Sequence, residues 1–528
     1  MFPSAREQRY RFRVIIPAYP SFNIYSGLAD KTTSLGAVAV ATAVHKTADW
    51  DVEVIDENNL RRYGPRGSGT GADHEFLQAQ RPADVIGLYG GLTSTIPRLY
   101  EVARFYKSKN KKIVTIAGGQ HFVEETIPEA LNSGVDYIIL GEAEETVTEL
   151  LWSLQNKNDV RAVKGIAFLK EGKVAVTPRR EPITDFEKLP LPDFSLVRYA
   201  KIKVYPVERI RGCGMNCEFC TVKGRPRCAS PERLMAQISF IVETRDARHF
   251  FIVDDLFGQQ REETIRFCCL LREYQKNIGR RLDFTVQIRL DKARDRELLS
   301  AMREAGINMV AIGYESPIEE ELKTMQKKMH PEEMISLTRV FHKHGFLVHG
   351  MFIFGYPWDE GRPVRMSLQE RLKRYRKFIK QSRIDTLQVL LPVPLPGTEL
   401  RERLQRQKRV YPLEDVGWEY YDGNFPLFSP DEPMTPEEML YAVRSLMGGF
   451  YQFRYMFKVG LNIFCFPALL FYLHNIRSGW RKWYRPWRND LIRIGGWFIV
   501  KGWAEAYKKE TFPQKLERAQ KRLKQHVH

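Results

Sequence analysis

Three cysteines carry the most specific chemistry in this chain. Cys213, Cys217 and Cys220 stand in the run Arg211-Gly-Cys-Gly-Met-Asn-Cys-Glu-Phe-Cys220, a C-x3-C-x2-C array. Thiolates are soft ligands, and three on one short loop can each take one iron of a cubane [4Fe–4S] cluster, which commonly has four cysteines. With only three, one iron stays open to a substrate or cofactor. Zinc is the competing reading, but three thiolates in one loop with no nearby histidine make a poor closed tetrahedral site. The remaining cysteines, Cys228, Cys268, Cys269 and Cys465, have no ligand spacing to one another, and Cys268-Cys269 sits in an apolar helical run where core packing is expected.

With Phe219 just before its last cysteine, the array resembles the signature of the radical S-adenosylmethionine (SAM) enzymes. The resemblance implies that the open iron is chelated by the amino and carboxylate groups of SAM, and that an electron from the cluster cleaves SAM to a 5′-deoxyadenosyl radical. It also implies an external electron donor such as flavodoxin or ferredoxin. It extends to Val253-Asp254-Asp255, Gln287 and Arg289, Gly313-Tyr-Glu-Ser316, Gly355-Tyr-Pro357 and Leu395-Pro-Gly-Thr398, which fall at strand ends where family members contact SAM or substrate. Phe219, Asp254, Asp255, Gln287, Arg289 and Glu315 are therefore the expected SAM contacts. Glu315 suits a ribose hydroxyl or the methionyl ammonium, and the planar fork of Arg289 suits the methionyl carboxylate.

The first half of the chain resembles the cobalamin-binding domain that precedes many radical SAM domains. The resemblance rests on Gly90-Gly-Leu-Thr-Ser-Thr95, Ala117-Gly-Gly-Gln-His121 and Leu140-Gly-Glu-Ala-Glu-Glu145. Small residues at strand ends let a flat corrin and the tail of its nucleotide approach the backbone. Gly90, Thr93, Ser94, Gly118, Gly119, Gly141 and Glu142 are the implied cobalamin contacts. The D-x-H-x-x-G motif that supplies a lower axial histidine elsewhere is absent, and His121 reads as a loop residue.

These residues need scaffolds, and the sequence outlines two. From Arg11 to about Gln155 short apolar runs at 11–18, 51–57, 84–90, 112–119 and 135–142 alternate with helical segments, the pattern of a doubly wound parallel sheet. A second alternation, with strands expected at 207–211, 249–255, 283–289, 309–316, 348–357 and 387–394, suits a partial (β/α)6 barrel. The fold expected is thus α/β: a Rossmann-like cobalamin-binding domain over 1–180, a proline-rich linker over 181–204, a radical SAM barrel over 205–400, and a mainly helical domain over 401–528. Thr435-Pro-Glu-Glu438 predicts a helix start in the last of these.

Composition narrows the rest. The chain has 528 residues, 43% hydrophobic and 28% charged, which excludes global disorder and suits several domains. Lys and Arg number 82 against 64 Asp and Glu, a net +18. Tyr451 to His528 holds 16 basic and 4 acidic residues, so +12 of this charge lies in a tail that also carries Trp480, Trp483, Trp487, Trp497 and Trp503. An adjoining apolar run, Val459 to Leu473, is shorter than the roughly 20 residues that a spanning helix needs. Aromatic and basic residues beside a greasy segment favour peripheral contact with a membrane through 451–503, or a hydrophobic substrate, over nucleic acid, a covering helical domain with a solvated basic face being the other reading. Seven cysteines and no apolar leader lead us to expect a cytoplasmic protein, with peripheral docking on the inner face of the membrane.

The function expected is a cobalamin-dependent radical methyltransferase acting on an unactivated carbon of a small hydrophobic substrate. The domain order resembles the group that includes hopanoid C-2 methylases and the anaerobic magnesium-protoporphyrin ester cyclase, which suggests a lipid or tetrapyrrole-like molecule. Cyclisation or oxidation with cobalamin but without methyl transfer is one alternative, and a non-catalytic cobalamin-binding membrane-associated protein is another. A methylthiotransferase is disfavoured because no cysteine precedes Cys213.

Overall fold

The computed structural model describes residues 9–525, apart from 61–63, 68, 70, 328, 359–365 and 465–475; of 462–464 and 476–488 it describes the backbone alone. Cys465 and much of the apolar run 459–473 therefore lie outside the described residues.

The first scaffold is built from short runs of Val, Ile and Leu buried on both faces. Strands β1 (Arg11–Ile16), β2 (Asp51–Asp56), β3 (Val85–Tyr89), β4 (Val114–Gly118) and β5 (Tyr137–Ile139) pair in parallel in the order β2-β1-β3-β4-β5. Helices Leu35–Thr47 and Ile96–Lys109 lie between them in sequence, and Glu144–Gln155 follows β5. The strand order reverses at β1/β3, and the crevice at such a switch point is where doubly wound sheets take ligands. The sheet is larger than the sequence outlined. A hairpin, β6 (Ile166–Lys170) and β7 (Lys173–Val176), adds antiparallel to β5, and β8 (Val197–Arg198) adds to β2. The hairpin turns on Glu171-Gly172, both with positive φ (51° and 76°), the geometry that matches strand twist. The proline-rich stretch after it is woven into the first sheet through β8.

The second scaffold begins with β9 (Val204–Val207). The expected single strand over 207–211 is broken here. The chain turns and forms a two-residue ladder, β10 (Ile210–Arg211) with β11 (Arg227–Cys228), that closes the base of the cysteine loop. Strands β12 (His249–Phe257), β13 (Asp283–Ile288), β14 (Ile307–Glu315), β15 (Leu347–Ile353) and β16 (Thr386–Leu390) follow β9 in parallel and in sequence order. β9 and β16 are the two edges, so the six strands form an open barrel. Alternation decides the faces. Phe250, Ile252, Val286, Val310, Val348 and Leu387 are fully buried in the main core, while the intervening residues face inward. Register sets Gln287, Ala311, His349 and Thr386 side by side in one inner row, and Gly313, Met351 and Gln388 in the next.

Beyond the barrel the chain laces back before turning helical. Gly423 O accepts from Leu391 N at 2.6 Å, which lays the segment around 423 along the end of β16. Thr435 and Glu438 then form the expected capping box and start the helix Pro436–Phe450. Helices Tyr455–Phe464, Ile476–Tyr507 and Phe512–Gln525 complete the tail. No helix among the described residues is long and apolar enough to cross a membrane.

Candidate active site

The cysteine loop spans the gap between β10 and β11. Its first turn requires glycine: Gly212 has φ +90°, and a Cβ there would sit 2.8 Å from the Arg225 carbonyl oxygen. The backbone leading into Cys213 hangs from two carboxylates of β12. Asp254 Oδ1 accepts from the backbone N–H of Arg209 (2.6 Å) and Ile210 (2.9 Å), and Asp255 Oδ2 accepts from Gly212 N–H at 2.7 Å. Asp254 is buried, its other oxygen meets no donor, and burial pushes its carboxyl up to about 7. The structure therefore places Asp254 beneath the loop as a support, while Asp255 is half-buried at the loop's first turn.

Two further groups of side chains fix the loop. On the barrel side, Glu218 lies between Cys217 and Phe219 and is 9% exposed. Tyr356 donates to its Oε2 at 2.6 Å, Arg403 pairs with both its oxygens, and its backbone carbonyl accepts from Leu400 N at 3.1 Å. The Phe219 ring meets Tyr356 edge-on at 6.0 Å. Tyr356 of the Gly355-Tyr-Pro357 motif thus braces the cysteine loop, and Leu400, just after Leu395-Pro-Gly-Thr398, holds its backbone. On the side of the first sheet, Glu142 binds Arg211 at 3.0 Å and Arg227 at 2.8 and 3.0 Å, and accepts from Ile183 N at 2.6 Å. Burial opposes this carboxylate, but the two guanidiniums hold its pKa below the usual range. Glu142, expected at cobalamin, has both oxygens committed to the strands that carry the cysteine loop. Gln120 Oε1 accepts from Thr221 at 2.9 Å, a further tie between the β4 loop and the cysteine loop.

The three thiols are half-buried and unbridged. Burial raises Cys217 and Cys220, and the neighbouring Cys213 thiol adds to the rise at both; Lys327 opposes the rise at Cys217, and the Val222 N–H points at Cys220 Sγ from 3.4 Å. Among the described residues no three His, Cys, Asp or Glu side chains converge as ligands of one ion would. A cubane instead takes one thiolate per iron, with its sulfurs spread around it.

Next to the thiols stand the expected SAM residues. Glu315 ends β14 at φ +60°, a conformation that non-glycine residues hold only where the surroundings enforce it. Its Oε1 lies 2.9 Å from Lys327 Nζ and within 2.3 Å of where a Cβ on Gly313 would sit, so Gly313 makes room for the carboxylate. Burial works against the Lys327 ammonium, yet Glu315 holds its pKa above the usual lysine value. Arg289 grips Asp291 through Nε (3.1 Å) and Nη2 (2.8 Å) and turns Nη1 towards Met215 of the cysteine loop at 3.5 Å. Gln287 is exposed on the barrel's inner face. Lys327 was not foreseen, since a lysine in the charged run Lys323-Thr-Met-Gln-Lys327 looks like an ordinary solvated residue.

The cobalamin-side glycines divide into two kinds. Gly119 has φ +133°, and its Cβ would fall 2.4 Å from the Gly90 backbone, so Gly90 and Gly119 serve first to bring the β3 and β4 loops together. Gly141 has φ +86°, is exposed, and has nothing within 4 Å of its Cβ position, so a ligand could lie against it. Gly118 is half-buried beside Ile139. Thr93 and Ser94 are buried, and Thr93 Oγ1 lies 3.4 Å from His121 Nδ1. His121 packs edge-on against Trp418 with a centroid distance of 4.9 Å, and burial pushes its pKa down to about 3. It is a buried neutral loop residue.

The comparisons with known proteins agree with this layout. Residues 27–151 match the B12 binding domain model and residues 207–405 match the radical SAM superfamily model. The chain belongs to the radical SAM enzymes that carry a B12-binding domain. It is 27% identical over 380 residues to an uncharacterized methyltransferase of Pyrococcus horikoshii, covering 70% of this chain and 77% of that one. It is 25% identical over 436 residues to the anaerobic magnesium-protoporphyrin IX monomethyl ester cyclase of Rubrivivax gelatinosus, covering 77% and 73%. Its fold resembles the solved structure of OxsB, a cobalamin-dependent SAM radical enzyme with aqua-cobalamin and SAM bound, with a TM-score of 0.63, 16% identity, and 98% and 81% of the two chains covered.

As a B12-binding radical SAM enzyme it uses a [4Fe–4S] cluster, SAM and cobalamin. The residues present fit these groups. Three thiols on a glycine-started loop suit the cluster, a carboxylate and a cation beside them suit the methionyl end of SAM, and the open strand end at Gly141 suits a flat macrocycle.

Proposed function

We propose that this enzyme methylates an unactivated carbon of a hydrophobic, lipid-like or tetrapyrrole-like substrate. The bound cofactors would supply a radical able to take hydrogen from such a carbon and a methyl group to replace it. The observation that carries the reading is the position of the cysteine loop. It is tied to the first sheet through Glu142 and Gln120, and to the barrel through Asp254, Asp255 and Glu218. One loop thereby joins the ligand edges of both sheets, as a reaction shared by two cofactors requires.

The barrel's inner face supports a hydrophobic substrate. Met309, Ala311, Met351, Ile353 and Leu390 alternate there with a few polar groups. His349 pairs with Thr386 Oγ1 at 2.8 Å and Gln388 Oε1 at 3.2 Å, and burial lowers its pKa. Neutral His349 and Gln388 would orient one polar substituent of an otherwise greasy molecule. An electron donor such as flavodoxin or ferredoxin would reduce the cluster.

The test is anaerobic turnover with methyl-labelled SAM and lipid or tetrapyrrole extracts. Label in a product is the expected outcome. The similarity to an ester cyclase favours one second reading, ring formation without methyl transfer. Product without label, accompanied by SAM cleavage, would establish it. Cys213→Ala should abolish both the cluster absorbance and SAM cleavage; survival of both would remove the enzymatic reading.

A further inference from the structure

The tail contains a surface that the chemistry above does not use. Helices Pro436–Phe450 and Ile476–Tyr507 leave between them a groove of about 730 Å³ whose walls include Tyr441, Arg444, Phe453, Trp497 and Trp503. Trp503 is 4% exposed, and its indole N–H meets no acceptor. Gln452 Oε1, also at the groove, is buried without a donor. Buried indole N–H and amide groups normally have partners, so the groove has unmet polar demand inside an aromatic wall.

Beside the groove, the helix Tyr455–Phe464 turns apolar side chains to solvent. Phe457 and Leu461 are 71% and 73% exposed, the highest values among the large hydrophobic side chains described, and Phe453, Met456 and Phe498 are exposed as well. The Phe453 ring lies tilted against Trp497 with a centroid distance of 4.8 Å, which joins this stripe to the groove. Cations alternate with the apolar residues. Arg454 and Lys458 follow Phe453 and Phe457 in sequence, Lys501 lies 5.1 Å over the Trp497 ring, and Arg444 lies 4.8 Å over Tyr507. A second copy of the chain is a poor occupant, because two tails that each carry +12 would repel. A soluble fatty acid would fill the groove but leave Phe457 and Leu461 in water.

We propose that this surface docks the enzyme on an anionic lipid bilayer. Phe453, Phe457 and Leu461 would enter the headgroup–acyl boundary, the cations would meet lipid phosphates, and a lipid oxygen in the groove would accept from Trp503. The proposal is independent of the reaction catalysed.

Flotation of the full chain with vesicles of phosphatidylcholine alone, or with added phosphatidylglycerol, tests it. Binding is expected only to the phosphatidylglycerol vesicles, weakened by salt, with a blue shift of tryptophan emission. The exposed pair Phe457→Ser/Leu461→Ser should weaken binding at least about tenfold without changing the melting temperature. Arg454→Glu should lower it further. Absence of vesicle binding, binding indifferent to these changes, or lipid-free dimerisation abolished by the Phe457/Leu461 pair would each overturn the proposal.

Discussion

The cysteine loop is held on two sides by ion pairs of different make. On the barrel side one carboxylate, Glu218, meets one guanidinium, Arg403, and one phenol, Tyr356. The side chains of Arg403 and Glu218 are only 13% and 11% exposed, and the guanidinium also donates to the carbonyl oxygens of Trp358 (3.0 Å) and Pro357 (3.3 Å). Charge and hydrogen bonds balance there. On the side of the first sheet, Glu142, Glu144 and Glu208 share Arg211 and Arg227, three negative charges against two positive. Burial pushes the pKa of Glu208 up, Arg211 offsets this only in part, and Glu144 and Glu142 add to the rise. A balanced buried pair is rigid and costly to break, whereas an overloaded network can lose a charge and re-form. The contrast predicts a loop held firmly to the barrel and more loosely to the first sheet.

Breaking the balanced side should have the larger effect. Arg403→Ala leaves the Glu218 carboxylate buried without its counter-charge, which typically costs about 3–5 kcal/mol. The expected result is a lower melting temperature and poor retention of the cluster, with little dependence on salt. Arg403→Lys keeps the charge but loses the fork, so its loss should be intermediate. Thermal melts and iron content of the reconstituted variants measure this. Cluster retention at the wild-type level in Arg403→Ala would mean that the barrel side does not position the loop.

This contrast also marks what could be read from the residues in order. The three cysteines were legible because cluster chemistry constrains their spacing within a few positions. The strands were legible because apolar periodicity is local; the misses were the hairpin on Glu171-Gly172, the edge strand β8, and the break between Val207 and Ile210. Asp254 and Glu142 were singled out as cofactor contacts; their ties to the backbone of Arg209 and Ile210 and to Arg211 and Arg227 were not visible, because strand-end position says nothing about which way a carboxylate is committed. Glu218 and Arg403 were invisible as a pair. They stand 185 residues apart, and only the closing of the barrel brings them together. Lys327 was hidden for a different reason: it follows Glu315 by only about a dozen residues, but nothing in its charged run shows that the chain folds back to pair the two.

A second prediction probes the support under the loop. Asp254 keeps its proton up to about 7 in the fold, but an unfolded aspartate releases it near pH 4. Between those values the folded state binds the extra proton, so stability falls as pH rises through that window and levels off above it. Asp254→Asn retains an oxygen for the N–H groups of Arg209 and Ile210 but cannot ionise. Its melting temperature should fall less than that of wild type between about pH 4 and 7. An unchanged slope would mean that Asp254 is ionised in the fold.

The smallest effect is expected on the overloaded side, and its salt dependence is the informative part. Glu142→Gln removes one of three carboxylates that share two guanidiniums, so the remaining charges balance. Arg211 keeps Glu144 and Glu208, while Arg227 loses Glu142 and is 24% exposed, where water can replace it. The stability lost should be about 1 kcal/mol, near the range of partly exposed ion pairs, and should shrink as salt is raised. Because Glu142 follows Gly141 at the open end of β5, the same variant should loosen the cluster's response to cobalamin. The electron paramagnetic resonance spectrum of the reduced cluster, recorded with and without cobalamin, should change less on cobalamin addition than in wild type. A loss as large and as salt-independent as that of Arg403→Ala would erase the distinction between the two sides, and with it the case for an adjustable join between the domains.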